Sequence, residues 1–170
     1  MSRPSEKDYP AFYHTYIKLV PEQDLLPALK NSVHELQEFL SSIHAAKADY
    51  AYAEGKWTVK QLLQHAIDAE RIFAYRALCF ARGEKKSLPG FEENEYAAEA
   101  DVSHRNLTDM MNEFLILRQS SLLLFQSFTA NMIERKGKAN NNSINVLSLG
   151  YIVIGHWRHH QGILKERYGI

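Results

Sequence analysis

Three histidines stand within five residues near the end of the chain. The stretch "GHWRHHQGILKERY", Gly155 to Tyr168, carries His156, His159 and His160. At about 100° per helical residue, His156 and His160 lie about 40° apart and one turn from each other. They share a sector with Leu149, Ile152, Val153, Ile163 and Leu164, and His159 falls toward its edge. An i, i+4 pair can present two imidazole nitrogens to one point, as H-x-x-x-H metal sites do. A lone inward histidine is most often a satisfied core residue. Two on one apolar face carry polar atoms that need partners, and a shared metal supplies both.

Such an ion demands a third ligand, and the second helical pattern offers His65. Leu62, Ala66, Ala69, Ile72, Phe73 and Phe80 form the apolar face of that pattern, with His65 on its flank and no other histidine in it. An alternating bundle would run the second and fourth helices parallel and bring His65 and His156 to similar depth. Asp68, one turn beyond His65, could orient an imidazole or accept a proton; the competing reading is a solvated helix residue. Arg76 on the inner side could bind an anionic substrate group or pair with a carboxylate of the following connection. Cys79 falls off the metal-facing sector and is not assigned as a nucleophile. His14, His34, His44 and His104 read as surface or arm residues.

Four helices must position these groups. The first runs over about 24–46, from an N-cap at Asp24, with Leu29, Val33, Leu36, Phe39, Leu40 and Ile43 at helical spacing. The second covers about 58–82: Thr58 with Gln61 reads as a capping box, and Gly83 as the stop. The third covers about 107–128 and the fourth about 145–168. Gly150 and Gly155 inside the fourth mark close approach of a neighbouring helix. The acidic segment from Glu84 to Asn106, with Pro89-Gly90, reads as a long crossover with at most short helical turns. Residues 134–142, ERKGKANNN, read as a polar loop, and residues 1–22 as an irregular arm over the body. No segment shows a convincing strand alternation. The expectation is one all-α domain over 1–170, a four-helix bundle with a long crossover between helices 2 and 3.

Composition narrows the classes. With 45% hydrophobic and 24% charged residues the chain reads as an ordinary soluble domain. No apolar run is long enough for a membrane span, and the N-terminus lacks a secretory signal. One cysteine excludes an internal disulfide and fits a reducing cytoplasm. The 20 Lys and Arg balance the 20 Asp and Glu, so no bulk positive field favours nucleic acid. Leu147, Tyr151 and Ile154 make the outward side of the fourth helix apolar, which suggests either a homodimer through the third and fourth helices or cover by the arm.

Three segments together resemble the DinB-like superfamily of four-helix proteins. They are "WTVKQLLQHAIDAERIF" (Trp57 to Phe73), "LPGFEENEYAAEA" (Leu88 to Ala100) followed by "RNLTDMMNEFLILRQSSLLLF", and "GHWRHHQGILKERY". The superfamily includes DNA-damage-inducible proteins, bacillithiol-type S-transferases and mycothiol-dependent maleylpyruvate isomerases. Its metal triad, one histidine in helix 2 and an H-x-x-x-H pair in helix 4, maps onto His65, His156 and His160. Many relatives carry an acidic residue directly after the first histidine of the pair, where this chain has Trp157, pointing away from the metal sector.

Three neutral imidazoles suit zinc or nickel and leave a coordination position open, the pattern of a catalytic site. The resemblance implies a low-molecular-weight thiol as cosubstrate, its sulfur attacking a small-molecule electrophile. The expected activity is a metal-dependent thiol S-transferase or hydrolase. The alternative is a non-catalytic, metal-stabilised stress-response or binding module.

Overall fold

The helix boundaries follow local signals. In the computed structural model, which describes residues 3–170, four long helices form the body: α2 (Leu25–Ser42), α3 (Val59–Ala81), α5 (Leu107–Gln126) and α7 (Val146–Tyr168). Thr58 and Gln61 close a reciprocal capping box at the start of α3, Asn106 caps α5, and Asn145 caps α7 through Ser148. Each cap satisfies backbone N–H groups that a helix start leaves unpaired. Gly83 follows α3 with φ of 87°, the left-handed geometry that ends helices without a Cβ penalty.

Short elements fill the connections. The arm is less irregular than expected: a 3₁₀ turn (Ala11–Tyr13) leads into α1 (His14–Ile17). Residues 1 and 2 of the arm lie outside the described residues. The crossover contains one short helix, α4 (Glu93–Glu99), and α6 (Ala130–Ile133) follows α5. Among the described residues, no helix is long and apolar enough to cross a membrane.

The polar segment 134–142 is not a loop. It enters an antiparallel hairpin, β1 (Lys136–Ala139) with β2 (Asn142–Asn145). Asn140 and Asn141 form its turn with φ of 48° and 59°, the two-residue left-handed turn that favours asparagine and matches strand twist. Four residues per strand are too few for alternation to stand out. The hairpin packs closely on α3: a Cβ at Gly137 would lie 2.0 Å from the Phe80 ring. Leu88 of the crossover pairs with its edge, donating to the Lys138 carbonyl and accepting from Asn140.

Chain direction also departs from the alternating scheme. The Tyr168 hydroxyl, at the end of α7, donates to the Trp57 carbonyl just before α3. Arg135, before α7, reaches the Ala81 carbonyl at the end of α3. α3 and α7 therefore run antiparallel. Gln64 and Glu70 of α3 meet Arg105 and Arg118, at the start and middle of the α5 region, so those two helices run parallel. A crossover long enough to return the chain along α3 permits this order. The histidines still converge, because His65 lies eight residues after Trp57 and His160 eight before Tyr168.

Two apolar clusters form the core. One gathers Leu25, Leu29, Phe73, Phe80 and Phe125 with the arm; the other gathers Leu36, Leu62, Leu63, Ile67, Phe114 and Trp157. The strip of Leu147, Tyr151 and Ile154 is fully buried under the arm. The Tyr151 hydroxyl donates to the Glu22 and Gln23 carbonyls, and a Cβ at Gly155 would lie 2.1 Å from the Tyr16 carbonyl oxygen. Cover by the arm, rather than a second copy, accounts for that strip.

Candidate metal centre

α7 buries His156 and His160 because both face α3, and α3 presents His65 at the same height. All three are buried, with exposures of 5%, 4% and 7% for His65, His156 and His160. Nε2 of His156 lies 3.1 Å from Nε2 of His65 and 3.1 Å from Nε2 of His160. One donor atom from each ring falls within 4.8 Å of the others. A neutral imidazole nitrogen carries either one proton or one lone pair, so it satisfies one partner, not two. The central Nε2 faces two. Tetrahedral ligation at metal–nitrogen distances of about 2.0–2.1 Å separates donors by about 3.4 Å, close to the 3.1 Å at which His156 meets each of the other two.

The electrostatics suit ligation. Burial lowers His65 to about 4 and His160 to about 3; burial, then the neighbouring rings, also holds His156 well below its ordinary value. The rings are thus neutral near pH 7, the state that offers lone pairs to a cation. The Nδ1 atom of His160 has no hydrogen-bond partner among the described residues.

Aromatic rings wall the cluster. Trp57 lies against His65 with centroids 4.9 Å apart, and Tyr16 meets His156 edge-on at 5.2 Å. A cavity of about 330 Å³ opens onto His65 and His156, bounded by Tyr13, Phe73 and the hairpin residues Asn140 and Asn142. A smaller cleft of about 250 Å³ reaches His160 from the side of Trp57 and Tyr168. Burial raises the Tyr13 and Tyr16 hydroxyls above their ordinary pKa, so both stay protonated.

Other sequence candidates have different partners. His159 packs between Tyr16 and His160, tilted against the first and edge-on to the second, and does not join the triad. Asp68 accepts a hydrogen bond from Gln64 at 2.9 Å and pairs with Arg71 at 3.5 Å. It belongs to a polar ladder between α3 and α5 that continues through Glu113 and Arg105. Trp157 packs on Phe39 and Phe114, and Cys79 is half-buried outside the cluster. Arg76 donates to the Pro89 carbonyl of the crossover at 3.0 Å rather than to a carboxylate. Sequence reasoning missed Tyr13, Tyr16 and the hairpin asparagines. Only the Asn-Asn turn signal could have flagged the hairpin.

Comparison with known proteins agrees with this architecture. YfiT from Bacillus subtilis, described as "a probable metal-dependent hydrolase with an unusual four-helix bundle topology", superimposes with a TM-score of 0.72 at 16% identity, covering 98% of this chain and 91% of YfiT. The mycothiol-dependent maleylpyruvate isomerase superimposes with a TM-score of 0.64 at 15% identity, over 80% of this chain and 57% of that one. A protein of Oceanobacillus iheyensis named "Putative metal-dependent hydrolase" is 22% identical over 148 residues, 82% of this chain and 81% of its own length. The DinB superfamily sequence profile matches residues 28–164, from early α2 to late α7 and across all three histidines. With four-fifths of its length under that profile, the chain belongs to the DinB superfamily.

Proposed function

We propose that this protein is a metal-dependent enzyme in which His65, His156 and His160 hold a divalent ion, zinc or nickel, and a nucleophile attacks a small electrophile in the larger cavity. The nucleophile is a low-molecular-weight thiol in the leading form, which makes the protein an S-transferase; with water the same site is a hydrolase. The observation that carries the proposal is the meeting of three buried, neutral Nε2 atoms that cannot all satisfy one another. The ion would supply Lewis acidity, which acidifies the nucleophile or polarises the electrophile. Three protein ligands leave a position for that chemistry.

The chain's own residues do the rest. His65 and His156 border the cavity, so reactants approach from that side. Tyr13 and Tyr16 offer protonated hydroxyl groups at its wall. Trp57 and Phe73 keep apolar surface against the imidazoles and limit water around them.

The test uses untagged protein, metal analysis by mass spectrometry, and a panel of thiols with a chromogenic electrophile. One equivalent of metal and thiol-dependent turnover are expected, both lost in His156→Ala. Metal without turnover under any thiol, with loss of stability on chelation, would favour the non-catalytic module. A protein that takes up neither zinc nor nickel would end both readings.

A further inference from the structure

The larger cavity holds one group that the histidine chemistry leaves unused. Arg76 stands 11 residues beyond His65 on α3, three turns away on nearly the same face and about 16 Å farther along the axis. It is 5% exposed and lines the same cavity as His65 and His156. A guanidinium stays charged throughout the accessible pH range, and a buried charge is costly without a counter-charge.

The partners of Arg76 are neutral. Nη2 donates to the Pro89 carbonyl, the guanidinium lies 5.6 Å from the centre of the Phe91 ring, and its charge partly offsets the upward effect of burial on the Tyr13 hydroxyl. Arg118, the other buried arginine, pairs with Glu70, and half-buried Arg158 pairs with Glu22 and Glu35. Among the described residues Arg76 has no ion pair of this kind. Glu92 and Glu93 sit on the cavity rim but are exposed and do not pair with it. A buried cation without an internal anion, aimed into a cavity that ends at a candidate reaction centre, is built for an anion carried by the ligand.

We propose that Arg76 anchors a carboxylate of the substrate whose other end reacts at the histidine cluster. The ligand class is an elongated carboxylic acid with its reactive atom remote from the carboxylate. Tyr13, Tyr16, Phe73 and Phe91 flank the linker between the two ends. The reacting end rests on the function proposed above; the anion subsite does not.

Two measurements test the subsite. In the first, metal-free protein is titrated calorimetrically with 4-phenylbutyrate and with 4-phenylbutanol. The acid should bind at least tenfold more tightly, Arg76→Met should erase that preference, and Arg76→Lys should keep part of it. In the second, cobalt-loaded protein is titrated with ω-mercaptoalkanoates of increasing length and with the matching mercaptoalcohols, following thiolate-to-cobalt absorption. The preference for the acid should peak at an intermediate length and vanish in Arg76→Met. Equal binding of acid and alcohol to the wild type in both series, which needs no variant, overturns the subsite, as does a tenfold preference that survives in Arg76→Met. A preference for phenylbutyrate without any cobalt spectrum upholds the subsite and overturns the metal-centre reading.

Discussion

Two polar layers are buried in this bundle, and only one is self-sufficient. In the first, Arg118 of α5 donates to both oxygens of Glu70 at 2.8–3.1 Å, to the Ser32 hydroxyl at 3.0 Å and to the Val153 carbonyl at 3.1 Å, while Ser121 donates to Glu70 at 2.8 Å. Charges cancel, and all four long helices contribute. In the second, three imidazoles have chiefly one another, and Arg76, three turns along α3 on the same cavity, has only neutral partners. Buried polar groups are tolerated when satisfied and costly when not. The first layer is therefore read as architecture, fixing helix register, and the second as a place for something from outside.

Acid should separate the layers most strongly. Each triad histidine has its folded pKa lowered below the ordinary value near 6.5. The folded state then binds fewer protons than the unfolded one, so stability is fully present above pH 6.5 and falls as pH drops toward about 4. Each histidine adds a slope of about 1.4 kcal/mol per pH unit in that window. Denaturant melts of metal-free wild type and of His65→Ala, between pH 7 and 4, should show a shallower loss in the variant. Equal slopes would mean that the rings are not held neutral by the fold.

Breaking the self-sufficient layer comes next. Arg118→Leu leaves Glu70 buried without its partner and should cost about 3–5 kcal/mol in chemical denaturation, whereas replacing Arg118 and Glu70 together with apolar residues should recover much of that loss. Zinc should then sharpen the contrast from the other side. At a free concentration a hundredfold above its dissociation constant it should stabilise the wild type by about 2.7 kcal/mol and leave His156→Ala unmoved. A thermal-shift series with and without chelator reads this directly.

The smallest effect concerns the cover over the second layer. Gly155→Ala forces a methyl against the Tyr16 carbonyl and should cost about 1–3 kcal/mol by displacing the arm. Hydrogen exchange should rise in residues 11–20 and stay unchanged in the α5 amides around Arg118. Uniform loosening of both regions would show that the arm and the Arg118 layer are not separable.

Legibility in the sequence tracked distance along the chain. The i, i+4 pair of His156 and His160, the Thr58–Gln61 box and the Gly83 stop were readable because helical periodicity and caps involve neighbours within a turn or two. The conjunction of His65 with that pair was readable as two inward faces, and the resemblance pointed to the same residues. The parallel arrangement assumed for the second and fourth helices was not correct, yet the three rings meet, because burial constrains which face points inward and leaves chain direction open.

The sequence by itself determined four amphipathic helices, their starts and stops, and two inward histidine faces, since each is a property of local spacing. Only tertiary structure decided that α3 and α7 run antiparallel, that the 136–145 hairpin and the arm wall the cavity, that Asp68 turns to the α5 side, and that Arg76 is left without a carboxylate. Those outcomes depend on contacts between segments tens to more than a hundred residues apart, such as Tyr168 with Trp57 and Tyr16 with Gly155. Local periodicity carries no information about which distant face a helix will meet.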